Sequence, residues 1–387
     1  MAGMSVKLHG AIADIEPVSW DRLACPPGAP LNPFITHAFL HALELSGSAT
    51  AETGWNPAHL TLETDGTIIG AVPAYVKSHS YGEYVFDHGW AQAFERAGGN
   101  YYPKLQVSVP FTPATGPRLL TGGQPAYRAT LAEALKRFCE RLELSSVHVT
   151  FQQEEEAEAL HKAGFLLRND QQFHWTNAGY RSFDDFLSEL SSMRRKNLKR
   201  ERRQALEPGI TVEHLTGSDL REEHWDAFFS FYMDTGNRKW GTPYLTREFF
   251  SRVGATMADR ILLVLARRNG RYIAGALNFV GSDTLYGRNW GAIEHHPFLH
   301  FELCYYQAID FAIARGLRTV EAGAQGEHKL ARGYMPVRTW SSHWIAHRGL
   351  SEAVERYLTA ERARVSEDIE LLKDHSPFRK TPQDGEL

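Results

Sequence analysis

The chain carries one pattern twice, and the two copies lie nearly half its 387 residues apart. Gly164-Phe165, eight residues and His174-Trp175 are matched by Gly333-Tyr334, eight residues and His343-Trp344. Each copy follows a short stretch of helical character, 154–163 and 327–332. His224-Trp225 shows that the dipeptide also arises alone, so the weight rests on the order of a second pair of segments. Gly66 with Gly70-Ala71, and Gly270 with Gly275-Ala276, each open an alternating strand pattern. Trp90-Ala91 and Trp290-Gly291-Ala292 then read as strand ends before a long helix. A repeat of this length belongs to two similar domains and not to a solenoid. The division it implies is 1–177 and 178–387.

Composition supports two cores. Hydrophobic residues make up 43% of the chain and aromatic residues 12%, outside the range of disordered or fibrous sequences. A net charge of −4 excludes a bulk polyanion binder, so any basic surface is local. Cys25, Cys139 and Cys304 are far apart and lack metal-ligand spacing, which points to reduced thiols. No run approaches the roughly 20 apolar residues of a membrane span. A cytoplasmic protein without a metal is the expectation.

Turn chemistry places the elements. Asp65-Gly66 and Asn269-Gly270 are two-residue hairpin signals between alternating runs. Residues 84–86 are expected to continue the first sheet, and 90–121 to form a long structured loop of the kind that carries function. Residues 183–204 are expected to form one long helix, with Phe183, Phe186, Leu187, Leu190 and Met193 as its apolar stripe. Strands follow at 261–266, 272–280, 285–290, 318–321 and 337–345, with helices at 301–315 and 350–372.

The order hairpin, strand, helix, strand, helix, strand resembles the GNAT acyltransferase fold, and two such units resemble the Fem-like peptidoglycan aminoacyltransferases. Longer blocks are similar to the FemAB-like predicted N-acyltransferase family associated with peptidoglycan biosynthesis and recognition. They begin at Lys77 (to Asp87), Tyr101 (to Leu105), Phe111 (to Pro113), Tyr286 (to Gly291), Phe298 (to Tyr306) and Gly323 (to Gly333). The resemblance implies a mixed α/β chain of tandem duplicated GNAT-like domains, each a mostly antiparallel sheet flanked by helices. It implies acyl or aminoacyl transfer to an amine. One departure stands out: no Gln/Arg-x-x-Gly-x-Gly/Ala string, the loop that cradles the pyrophosphate of acetyl-CoA, precedes a helix. The donor is therefore left between aminoacyl-tRNA and acyl-CoA.

Acyl transfer to an amine needs a base, donors for the oxyanion and an acid for the leaving group. In a GNAT-like unit these gather where two central strands part, and the segments entering that cleft are 286–291 and 318–333. Glu327, His328, Lys329 and Glu302 are the catalytic candidates. His328 reads as a base and Lys329 as an electrostatic clamp, with a solvated first helical turn as the plain alternative. Arg288, Asn289 and Tyr286 are candidate substrate contacts, since an arginine inside a strand must pair or face a cleft. In the first half Asp87, His88, Lys77 and Tyr102 read as an acceptor lining or as hydrogen-bonded loop supports. The run from Arg194 to Arg203 carries seven positive charges against one and is a candidate tRNA contact.

The leading reading is an N-acyl- or aminoacyltransferase acting on an amine, with a peptidoglycan precursor as the candidate acceptor. Its alternatives are CoA-dependent N-acylation of an amino acid or small amine, and a non-catalytic binding module on the same scaffold.

Overall fold

The computed structural model describes residues 3–207, 209–239, 243–323 and 326–379, the side chains of 237–239 and 327 excepted. It divides into two compact units. Unit 1 comprises the described residues of Met1–Asp170 with Tyr244–Thr256 and Arg338–Ser366; unit 2 comprises those of Gln171–Pro243, Met257–Val337 and Glu367–Leu387. Among the described residues no helix is long and apolar enough to cross a membrane.

Unit 1 holds β1 (Ser5–His9), β2 (Trp55–Pro57), β3 (His59–Thr64), β4 (Thr67–Val72), β5 (Ala74–Lys77), β6 (Lys104–Val107) and β7 (Ser146–Gln152). The turn joining β3 to β4 puts both Asp65 (φ 48) and Gly66 (φ 76) in the left-handed region, as its sequence predicts. β2, β5 and β6 pair antiparallel, and β6 pairs parallel with β7 across the helix Tyr127–Arg141. The two faces of β6 and β7 differ sharply. Leu105, Val107, Val147 and Val149 pack on Leu131, Leu135 and Leu160 of the covering helices. The alternate residues Lys104, Gln106, Ser146, His148 and Thr150 point the other way and are equally buried. A buried polar face must find partners within the protein.

Unit 2 repeats the plan. It holds the end of β8 (Leu166–Thr176), then β9 (Thr211–Leu215), β10 (Ile261–Arg268), β11 (Arg271–Val280), β12 (Thr284–Ala292) and β13 (Thr319–Glu321). β9 to β12 pair antiparallel, and β12 pairs parallel with β13 across the helical stretch beginning at Leu299. The first six residues of β10 are fully buried, each of its leucines, isoleucine and valine contributing roughly 1.5–3 kcal/mol. Gly291 is required by packing, because a Cβ there would overlap the Phe231 carbonyl. The repeated His-Trp strands are exchanged: residues 174–176 of β8 pair with β13, while residues 340–345 of β14 (Met335–Ile345) pair with β7. This is a tandem, duplicated GNAT-like arrangement.

Four local expectations are corrected. Residues 84–86 do not continue a sheet. Gly82 (φ 81) and Tyr84 (φ 59) are left-handed, and that turn swings Glu83 inward to Lys104. Trp90-Ala91 is not a strand end but lies in the helix His88–Arg96, and β6 interrupts the expected loop. The long basic helix is broken into Phe183–Glu189 and Ser192–Leu206. Leu190 is fully buried and extended there, bridging to Phe378, and the Ser191 N–H donates to Pro377 O.

Candidate active site

In unit 2 the parallel pairing of β12 with β13 runs only from Thr284/Thr319 to Tyr286/Glu321. Beyond that point the strands part. The register of β11 and β12 slips at the same place, pairing Leu277 with Asn289 but Asn278 with Gly287. Arg288 is thus the extra residue of a bulge, a device that re-aims side chains beside functional sites. Gly287 sits at the apex, where a Cβ would meet Glu321 O at 3.3 Å. The resulting cleft has a cavity of about 100 Å³ lined by Arg288, Asn289, Trp290, His300, Cys304 and Tyr305 among others. A larger cavity of about 370 Å³ shares Trp290 and His300 with it and adds Glu294, His296, Phe298 and Phe301.

The helix flanking the cleft contains a π-helical turn, Glu302–Tyr306, a feature frequent at functional sites. It sends Glu302 and Tyr306 toward the basic helix and Tyr305 toward the loop after β13. Glu302 is fully buried and receives Arg202 at 2.9 Å; Arg202 also reaches Asp310 at 2.7 Å. Arg332 lies 3.5 Å over the Phe301 ring and pairs with Glu201 at 2.8 Å, and the Tyr306 hydroxyl donates to that same carboxylate. These contacts fix the scaffold. The Tyr305 hydroxyl is 2.9 Å from His328 Nε2. Burial holds the Tyr305 phenol well above its ordinary range, so it stays protonated. Burial, with Arg332 and Lys329 nearby, lowers the His328 pKa, so its ring is neutral near pH 7. Lys329 is buried, donates to Gly323 O at 2.7 Å, and is brought down to about 8 by burial. His174 faces Glu321 at 4.0 Å, and burial lowers it to about 4.

Unit 1 satisfies its polar face with an ion cluster. The Lys104 ammonium lies 2.7 Å from Glu83 Oε2 and 2.5 Å from Asp87 Oδ2, and all three side chains are buried. Tyr101 donates to Asp87 at 2.7 Å, and His148 Nδ1 meets His343 Nδ1 at 2.7 Å. Burial opposes ionisation of Asp87, but the Lys104 ammonium prevails and holds its carboxyl well below the usual range. Burial raises Glu83 to about 7 against the same ammonium and lowers Lys77 to about 7. Lys77 stands 3.6 Å over the Trp55 ring.

The structure therefore gathers the named residues into two groups. His328, Lys329, Arg288, Asn289 and Tyr286 belong to the cleft segments of unit 2; the side chain of Glu327 lies outside the described residues. Glu302 points away from the cleft to Arg202. In unit 1 Lys77 and Asp87 face inward, Tyr102 bonds Ser80 at 2.8 Å, and His88 begins a helix near the surface. Tyr305, Cys304, Trp290 and the His148–His343 pair were not singled out as site residues from the sequence. Trp290 and His343 lay in the repeated segments, and Cys304 and Tyr305 in the block from Phe298 to Tyr306, but none of these marked a site role.

The buried imidazoles set an acid dependence. His148 (about 3), His174 (about 4) and His343 all titrate below the ordinary imidazole value of 6.5 because burial disfavours the cation. Each contributes stability that is complete above pH 6.5 and lost on acidification, about 1.4 kcal/mol per pH unit. Glu83, raised to about 7 from 4.5, acts in the opposite sense over that window. Burial raises Asp21 and Glu156 as well, and lowers His9, His41, His79 and His328. These seven imidazoles outweigh the three carboxyls, so urea midpoints are expected to fall from about pH 6.5 to about pH 5. A flat profile would contradict the neutral, buried state of these rings.

A duplicated sheet whose parallel central strands part over a polar cleft has the architecture of the GNAT fold. Residues 11–380 match the FemAB-like family, described as peptidoglycan biosynthesis/recognition, and the chain belongs to that family. No curated protein matches it. Its fold is similar to that of FemX, at 12% identity and TM-score 0.55 over 90% of this chain and 100% of that one. It is also similar to L-PGS from Bacillus licheniformis, at 10% identity and TM-score 0.51 over 86% and 98%. At these identities the likeness speaks for the fold alone.

Proposed function

We propose that the cleft of unit 2 transfers an acyl or aminoacyl group from an activated donor to the amine of a peptidoglycan precursor. The observation that carries this reading is the Tyr305–His328 hydrogen bond beside the parting of β12 and β13. The acyl group lies in the cleft along Arg288 and Asn289. Neutral His328 takes the proton that the attacking amine loses as the new C–N bond forms. Tyr305, kept protonated by burial, gives its proton to the oxygen or sulfur that leaves as the old bond breaks. Their contact lets the proton pass from the imidazolium back to the phenolate, which resets both groups. Lys329 holds the loop at Gly323 and adds positive potential where the oxyanion develops.

An aminoacyl-tRNA donor is favoured by the basic helix. Arg194, Arg195, Lys196 and Arg200 form no ion pair within the described residues, whereas Lys199, Arg202 and Arg203 do. Four cations on one helix suit a phosphate backbone. Cys25, Cys139 and Cys304 lie far apart in the sequence, which suits a cytoplasmic setting.

The test is a transfer assay with labelled bulk aminoacyl-tRNA or acyl-CoA and a nucleotide-linked muropeptide, read as a new amide bond by mass spectrometry. Product is expected with aminoacyl-tRNA. Product with acyl-CoA alone would move the reading to CoA-dependent N-acylation. Product with neither would leave a binding module.

A further inference from the structure

The loop between β5 and the helix His88–Arg96 turns two sets of side chains in opposite directions. Inward, Ser80, Glu83 and Asp87 close on the Lys104 ammonium. Outward, four rings follow one another. His79 and Tyr81 have centroids 5.1 Å apart, Tyr81 and His88 5.9 Å, and Phe86 and His88 6.3 Å. Tyr81 and Phe86 are each 61% exposed, unusual for such large rings. Tyr244, also exposed, stacks on Phe111 at 4.8 Å and lies close enough to Tyr81 to feel its phenol.

This face is held in place before anything binds. Lys77 Nζ donates to Tyr81 O at 3.2 Å, the Tyr81 N–H donates to His79 Nδ1 at 3.2 Å, and Arg168 donates to Phe86 O at 2.8 Å. Fixed rings lose little conformational freedom on binding. The face is also neutral. Glu83 and Asp87 are the charged residues between Ser78 and His88, and both are buried against Lys104; Arg168, which reaches Phe86 O from outside the loop, is neutralised by Glu361 at 2.8 Å. A nucleic acid or an anionic membrane would call for lysine and arginine here. Phenol hydroxyls and imidazole edges at the rim offer hydrogen bonds that an apolar peptide would leave unused.

We propose that Tyr81, Phe86, His88 and Tyr244 form a docking face for a neutral saccharide, with pyranose C–H faces on the rings and sugar hydroxyls on the phenol and imidazole edges. The choice of saccharide rests on the reading of the acceptor as a peptidoglycan precursor. The face would hold the sugar portion of that acceptor.

The experiment needs no acyl donor. A neutral N-acetylglucosamine tetramer is titrated into the full chain, followed by saturation-transfer NMR and calorimetry. Wild type should bind it, and Tyr81→Ala or Phe86→Ala should each weaken binding roughly tenfold. Leu142→Ala, which removes an exposed side chain at the end of the helix Tyr127–Arg141, should leave binding unchanged. Melting curves of the variants should overlay that of wild type, because the side chains removed are exposed. No binding by wild type, equal binding by Tyr81→Ala, or preference for a sulfated oligosaccharide or an apolar peptide would each overturn the proposal. Saccharide binding lost while acyl transfer persists sinks this inference alone. Transfer absent while saccharide binding persists sinks only the transferase reading.

Discussion

Lys104→Met should destabilise unit 1 by roughly 3–5 kcal/mol, the cost of leaving buried charge without its partner. The methionine matches the volume of the lysine but leaves Glu83 and Asp87 facing each other with no cation between them. In the native chain one ammonium answers both carboxylates, at 2.7 and 2.5 Å, and also donates to Ser80 at 2.8 Å. Water cannot replace it, because all three charged side chains are at most 2% exposed. The loop from Ser78 to Asp87 should lose its anchor with it. The measurement is the urea midpoint followed by tryptophan fluorescence, with Trp55 and Trp90 as reporters in the same unit. Adding Glu83→Gln and Asp87→Asn to Lys104→Met should recover part of the loss, since the uncompensated charges go too. A Lys104→Met midpoint equal to that of wild type would show that the cluster is not a structural centre.

His328→Ala and Tyr305→Phe should each lower kcat by about 10²–10⁴, the usual range for a positioned acid or base. Stability should barely move, because His328 is only partly covered by its neighbours and phenylalanine preserves the Tyr305 ring. The two groups share one proton path, so the double variant should be scarcely slower than the worse single one. That non-additivity separates a relay from two independent contacts. Full additivity, or a change in KM with kcat intact, would assign the pair to substrate binding.

Much of the architecture was legible because it depends on local chemistry. Asp65-Gly66 and Asn269-Gly270 accept left-handed backbone at both turn positions, and the alternation beside them fixes the strands. The repeated His-Trp marked the duplication, but it could not show that each closing strand pairs with the other half's sheet. What stayed hidden depends on partners remote in sequence. Leu190 leaves its helix for Phe378, 188 residues on. Glu83 turns inward because Lys104 is buried there, although its strand propensity points elsewhere. Of the two segments expected at the cleft, 286–291 supplies Gly287, Arg288, Asn289 and Trp290 to the smaller cavity and 318–333 supplies Ala322. Tyr305 was not legible, because its orientation follows from a π-helical turn that no spacing announces. Glu302 reads from the sequence as buried or cleft-facing among Phe298, Phe301 and Leu303; it is buried, and the same turn directs it to Arg202.

The cleft of unit 2 is the proposed seat of the acyl group, and Cys304 offers a direct reporter of it. Cys304 lines the cleft and is half-buried, Cys25 is half-buried in unit 1, and Cys139 is buried. The rate at which iodoacetamide labels each thiol, mapped by peptide mass spectrometry, should be measured with and without the donor that supports transfer. Saturating donor is expected to slow labelling of Cys304 strongly and leave Cys25 unchanged. Cys304 labelling that ignores the donor while turnover proceeds would place the acyl group elsewhere and contradict the account.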